Sequence, residues 1–157
     1  MSSPTEIEDA VADLLELIAD ALGLDADVEV VTDGDTVTGT LVGDDLGLFI
    51  GRHGQTIDAV QHLAQRIVFK GGPSETRIVI DAAGYRERRA TALRRQADEA
   101  ADEALRYDRP VSLDAMVASE RRLVHEHLRE RGDVETHSEG AEPERHLVVS
   151  PATEASD

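Results

Sequence analysis

Residues Leu46 to Val68 read LGLFIGRHGQTIDAVQHLAQRIV. Apolar residues recur at helical spacing on both sides of Gly51-Arg52-His53-Gly54, so the stretch reads as an amphipathic helix broken by a glycine loop. Two glycines around a two-residue insert let the backbone turn sharply and let another molecule approach it with no Cβ in the way. Because the loop leads straight into a helix, the amides near Gly54, Gln55 and Thr56 are expected to point outward at the positive end of the dipole, where a phosphate is favoured. Arg52 is also the first cation of the chain, after thirteen Asp and Glu. Taken alone, G-x-x-G is more often a plain turn. Its neighbourhood has to decide.

Upstream, Ile7, Val11, Leu14, Leu15, Ile18 and Leu22 mark a first helix, with Thr5 as the expected cap and Gly23 as the stop. Val28 to Val31 and Thr36 to Val42 are β-branched runs around Thr32-Asp33-Gly34-Asp35, which predicts an antiparallel hairpin. Downstream, Ile57, Val60, Leu63, Ala64 and Ile67 form one helical face, Lys70-Gly71-Gly72-Pro73 closes that helix, and Arg77 to Asp81 reads as a third strand. The order is α-β-β-α-α-β.

The remainder repeats the mixture on a smaller scale. Tyr85 to Tyr107 is helix-forming and ends before Arg109-Pro110, Ser112 with Asp114 is expected to start a further helix reaching Arg131-Gly132, and Val134 to His137 and Arg145 to Ser150 read as strands. The fold class is α+β, built from two small α/β domains. The expected limits are 1–82 for the first domain, 83–91 for the start of a connecting helix, 92–151 for the second domain and 152–157 for a flexible tail.

Composition narrows the function classes. The chain has 157 residues, 40% of them apolar, and a formal net charge of -17, which suits a folded domain pair but opposes a polyanionic partner. Distribution offsets the total, since all sixteen basic residues lie from Arg52 onward. There is no cysteine, so disulfides, thiolate metal sites and cysteine nucleophiles are excluded. No basic leader precedes an apolar core at the N-terminus, and no apolar run approaches the ~20 residues of a membrane span. A soluble cytoplasmic protein without membrane insertion is expected.

The position of the glycine loop between the two helices of an α-β-β-α-α-β order resembles the KH domain, in the arrangement with an extra helix and strand at the N-terminus. The resemblance covers roughly residues 5 to 81. It implies that Gly51, Arg52, His53 and Gly54 clamp a nucleic-acid backbone, that Gln55 and Thr56 extend the contact, and that Ile50 and Ile57 line an apolar groove for bases.

In the second unit, Arg121 and His125 stand four apart on one helix, with Arg122 and Arg129 beside them. Arg-x-x-x-His, followed by a Glu/Gly/Pro loop and Arg145-His146-Leu147-Val148-Val149, resembles the R-three-H domain, a module associated with single-stranded nucleic acid. That match covers about residues 92 to 151. It implies RNA contacts from Arg121, His125 and Arg122.

The succession of the two modules resembles the bacterial Jag or SpoIIIJ-associated RNA-binding proteins, here without the separate N-terminal domain that many members carry. The resemblance implies a non-enzymatic binder of single-stranded RNA, with single-stranded DNA as the alternative ligand, and a post-transcriptional or cell-envelope and division regulator. It also implies a small KH protein or a second copy of the chain as protein partner. No cofactor and no metal are expected. His125 and His127 diverge around their helix, and His-Glu-x-x-His spacing is missing. His137 and His146 could approach across adjacent strands, but without convergent further ligands. The rival reading is an acidic protein-binding adaptor that docks a basic partner on Glu6, Asp9, Asp13, Glu16 and Asp20.

Overall fold

A computed structural model describes residues 3–70 and 72–153. The chain forms two compact units, Met1–Arg86 and Glu87–Asp157.

In the first unit, helix α1 (Pro4–Leu22) starts at Ser3 rather than Thr5. Ser3 Oγ accepts from the Glu6 amide at 3.3 Å, the Glu6 carboxylate accepts from the Ser3 amide at 2.7 Å, and Pro4 presets the first helical φ. This reciprocal box satisfies two orphan donors at once, which a cap at Thr5 would not. Gly23, left-handed at φ 67, ends the helix.

The buried stripe Ile7, Val11, Leu15 and Ala19 lies on a three-stranded sheet of order β1-β2-β3. Strands β1 (Asp27–Asp33) and β2 (Thr36–Val42) form the expected antiparallel hairpin, and β3 (Arg77–Ala82) runs parallel to β2. Parallel pairing needs a crossover, and the crossover carries the glycine loop: α2 (Gly47–Ile50), a 3-10 turn (Arg52–Gly54) and α3 (Gln55–Val68). Gly39 in β2 lets α1 approach closely, since a Cβ there would stand 2.6 Å from Val11 and 2.8 Å from Leu15. Phe49, Leu41, Ile57, Ile78 and Ile80 complete a core closed to solvent.

The second unit contains most of α4, whose observed span Tyr85–Tyr107 matches the sequence reading, together with β4 (Val111–Ser112), α5 (Ala118–Arg129), β5 (Val134–Glu139) and β6 (His146–Pro151). Its sheet is antiparallel in the order β4-β6-β5. Ser112, expected to start a helix, instead pairs with Val148, while the Leu113 and Met116 amides donate to Leu147 and Arg145. These bonds keep the chain extended, so α5 begins only at Ala118, with Val117 as an N-cap that provides no side-chain bond.

Ala152, expected to open the tail, is still tied to the end of the sheet. Pro151 pairs with Val134, and the Ala152 amide donates to Asp133 O at 2.9 Å. Residues 154–157, like Gly71 of the expected helix stop, lie outside the described residues. Among the described residues no helix is long and apolar enough to cross a membrane.

Candidate functional site

The glycine loop is built from unusual backbone. Gly51 has φ 71 and ψ 179, a region almost reserved for glycine. His53 (φ 53, ψ 27) and Gly54 (φ 80, ψ 14) are both left-handed. A left-handed non-glycine residue costs about 1–3 kcal/mol and persists only where its surroundings impose it. Here they do. A Cβ on Gly51 would stand 2.2 Å from Thr56 Oγ1, and one on Gly54 would stand 2.9 Å from the ring of Tyr85. Both glycines are therefore demanded by the chain's own packing, whatever else approaches the loop.

The outward amides differ from the sequence expectation. Gly54 donates to Gly51 O at 3.3 Å, and Gln55 donates to Arg52 O. The 3-10 turn consumes these two donors, because i→i+3 bonding closes inside the loop. Arg52 and His53 are exposed, and neither makes a hydrogen bond or ion pair among the described residues, through backbone amide or side chain. The loop tip thus presents two adjacent amides, a guanidinium and an imidazole. Of the flanking residues, Gln55 is exposed, while Thr56 and Ile50 are half-buried. Ile57, expected beside Ile50 in a groove, is 0% exposed and belongs to the core. The inward face of α3 runs through Ile57, Val60 and Ala64, so Ile57 can shape a groove only from beneath.

Two residues that sequence reasoning missed support the loop from the first turn of α4. Besides the ring of Tyr85, Arg86 donates to Asp58 at 2.9 Å, to Gln61 at 3.1 Å and to Ile80 O at 2.7 Å. Asp58 is the acid of the first turn of α3, and this pairing offsets a negative charge close to the clamp. Nothing among the sequence neighbours of Arg86 signals this commitment.

The second motif is arranged differently. Arg121 and His125 lie on neighbouring parts of α5, but Arg121 is only 9% exposed. Its guanidinium donates to Met116 O at 2.6 Å and to Glu142 at 2.7 Å, tying the segment before α5 to the β5–β6 loop. Arg121, expected to contact RNA, faces inward: with Val124 and Leu128 it forms the buried stripe of the helix. His125 is exposed, with Nδ1 against Thr136 Oγ1 of β5. Arg122 and Arg129 are exposed as well, Arg122 in an i,i+4 pair with Glu126 at 3.0 Å. On α4, Arg89 is committed to Glu120 at 2.8 Å and Arg95 to Glu99 at 3.1 Å.

Further polar contacts hold α4 to the end of α5. Arg131 meets Asp102 at 2.9 Å, Asp133 at 3.1 Å and Asp98 at 3.6 Å, and His127 meets Asp98 at 3.1 Å. The Asp133 hydrogen bond, then that of Asp102, raises the Arg131 pKa above its ordinary value. The same bond holds the Asp133 carboxyl below the usual carboxylate range. His146 lies opposite Glu139 in the β5–β6 ladder, and His137 Nε2 contacts Glu139 at 2.8 Å. Among the described residues no group of three or more His, Cys, Asp or Glu is placed to hold a metal ion.

Comparison with known proteins also separates two modules. Residues 8–80 match the family described as "KhpA/KhpB, KH domain", and residues 91–151 match the R-three-H domain. Similar proteins include three called RNA-binding protein KhpB. That of Clostridium symbiosum is 36% identical over 146 residues, 92% of this chain and 66% of the relative. That of Lactiplantibacillus plantarum is 39% identical over 141 residues, 90% of this chain and 44% of the relative. That of Bacillus subtilis is 32% identical over 138 residues, 87% of this chain and 66% of the relative. The chain therefore spans less than two thirds of the length of these relatives.

Proposed function

Because this chain belongs to the family in which a KH domain of the KhpA/KhpB type is followed by an R-three-H domain, we propose that it binds single-stranded RNA through the Gly51-Arg52-His53-Gly54 loop, without catalysing a reaction. The observation that carries this reading is the loop tip. Its two amides and its guanidinium have no partner among the described residues, and it is held in a left-handed conformation by contacts behind it. Backbone donors, a fixed charge and no competing acceptor suit a phosphodiester, whose contacts position a strand without reading its sequence. Two Tyr, two Phe and no Trp in the whole chain leave little room for base stacking, so backbone clamping dominates.

The second unit contributes more weakly, through the exposed His125, Arg122 and Arg129 of α5, while Arg121 keeps that helix in place. Two modest sites on one chain gain through effective concentration once a strand engages both. The net charge of -17 makes the attraction local, so affinity falls with salt according to the few phosphates engaged.

The test is titration of labelled single-stranded RNA and of a hairpin stem of equal length, with the wild type and with the double variant Arg52→Asp, His53→Asp. The single strand binds more tightly than the stem, and the double variant loses that binding while its circular dichroism is unchanged. Equal affinity for the stem, or an unaffected double variant, refutes the clamp. No RNA signal from the wild type leaves the acidic adaptor as the reading.

A further inference from the structure

Tyr85 and Arg86 fall between the two family matches, which end at residue 80 and resume at residue 91, yet both act on the glycine loop and the helix that follows it. We propose that they are positioning residues of the clamp, so that the KH site extends past its own last strand into the first turn of α4. The inference rests on the clamp reading above and names the parts that hold the clamp in shape.

The steric observation concerns Gly54. Atoms of the Tyr85 ring and its hydroxyl lie 2.9 to 3.3 Å from where a Gly54 Cβ would be. Gly54 is buried although it is the last residue of a surface loop, because the half-buried aromatic side chain covers it. A flat rigid wall at that point favours the left-handed turn, which would otherwise be one of several accessible conformations of a glycine.

The polar observation concerns α3. Arg86 uses three donors on three different acceptors: Ile80 O within β3, Asp58 and Gln61. Gln61 Oε1 also accepts from the Ile80 amide at 3.0 Å, and Asp81 Oδ1 accepts from the Arg86 amide at 3.2 Å. The planar guanidinium thereby locks the first two turns of α3 to the sheet, in a network whose members are part-buried and mutually satisfied. An anion bound at the loop tip then meets donors already in position, which lowers the ordering cost of binding. Without the wall and the fork, that cost would recur on each encounter.

The experiment uses the full chain and a labelled random-sequence single-stranded RNA of about eight nucleotides, twice the span such a loop clamps. Tyr85→Ala weakens binding about tenfold, Tyr85→Phe restores it to within about twofold because the ring remains, and Arg86→Met weakens it about fivefold. In an Arg52→Ala background, which keeps the loop amides and therefore a measurable affinity, Tyr85→Ala adds less than its full tenfold loss, since a positioning residue acts only through the groups it positions. Circular dichroism and thermal melting check folding. If Tyr85→Ala melts below the assay temperature, Tyr85→Leu, which fills the volume without a flat wall, takes its place in the same comparison.

Unchanged affinity in a folded Tyr85 variant overturns the proposal while leaving the clamp standing, provided the double Asp variant has lost binding. A full tenfold loss that persists in the Arg52→Ala background also overturns it, because Tyr85 would then act independently of the guanidinium at the loop tip. If the double Asp variant binds normally, the clamp reading falls and this proposal falls with it.

Discussion

Arg52 in the first unit and Arg121 in the second are each the cation of a recognisable motif, and the fold uses them in opposite ways. Arg52 stands exposed at the tip of a loop, without a partner among the described residues. Arg121 is buried and commits its donors to Met116 O and Glu142. The supporting structures differ in parallel. Large aliphatic side chains and Phe49 fill the first core, and the Arg86 fork ties the helix after the loop to the sheet. The second core takes much of its helix contact from Ala97, Ala100 and Ala101, and it is reinforced by ion pairs of Arg131 with Asp98, Asp102 and Asp133 and by the His127–Asp98 contact. A cation in a motif is thus evidence of a site only once its burial is known.

The largest expected effect tests the contrast between the cores. Phe49→Ala removes a side chain that is 0% exposed and should destabilise the first unit by about 3–5 kcal/mol. Urea denaturation followed by hydrogen exchange at the α1 and α3 amides measures it. A cost under about 1 kcal/mol would mean that this core does not carry the loop.

Next in size is the paired removal of the two motif arginines. Arg121→Ala should destabilise the second unit by about 1.5–3 kcal/mol, because it strands the buried Met116 carbonyl and loses charge-assisted bonds. Arg52→Ala should leave the melting temperature alone and weaken RNA binding. Thermal melts and RNA titrations of both variants sharpen the contrast if the effects separate in this way, and break it if Arg121→Ala costs affinity with no loss of stability.

The third prediction concerns acid. The Asp133 pKa is lowered in the folded state by its bond to Arg131. A depressed carboxyl contributes stability that is full above the unfolded Asp value and lost as pH falls through the lower folded one. The second unit should therefore melt at progressively lower temperature as pH drops below about 4, and Asp133→Asn should reduce that slope. An identical pH profile for the variant would remove the ion-pair network from the account of this unit.

The smallest effect belongs to the exposed Arg122–Glu126 pair, 80% and 59% exposed at the side chains. Breaking it with Glu126→Gln should cost no more than about 0.5 kcal/mol, while freeing Arg122 for phosphate and strengthening RNA binding slightly at low salt. Unchanged binding in filter or anisotropy assays would show that Arg122 takes no part in the interface.

Much of this was legible in one dimension, because local chemistry decided it. The element order of the first unit, the hairpin at Gly34-Asp35, the extent of α4 and the break at Gly51–Gly54 follow from periodicity and from glycine's conformational freedom. The same stretch marked Arg52 and His53 as the exposed tip. Other matters needed the tertiary structure, since each depends on how the chain packs in three dimensions. The turn itself consumes the Gly54 and Gln55 amides, and α3 rotates Ile57 into the core. Val111-Ser112 becomes a strand only because Val148 and Val149 lie beside it. Arg121, four residues before His125 on the same helix, faces inward because Met116 O and Glu142 supply acceptors there. Spacing determines which residues share a helix face, but only packing against the rest of the chain decides whether that face meets water or the core.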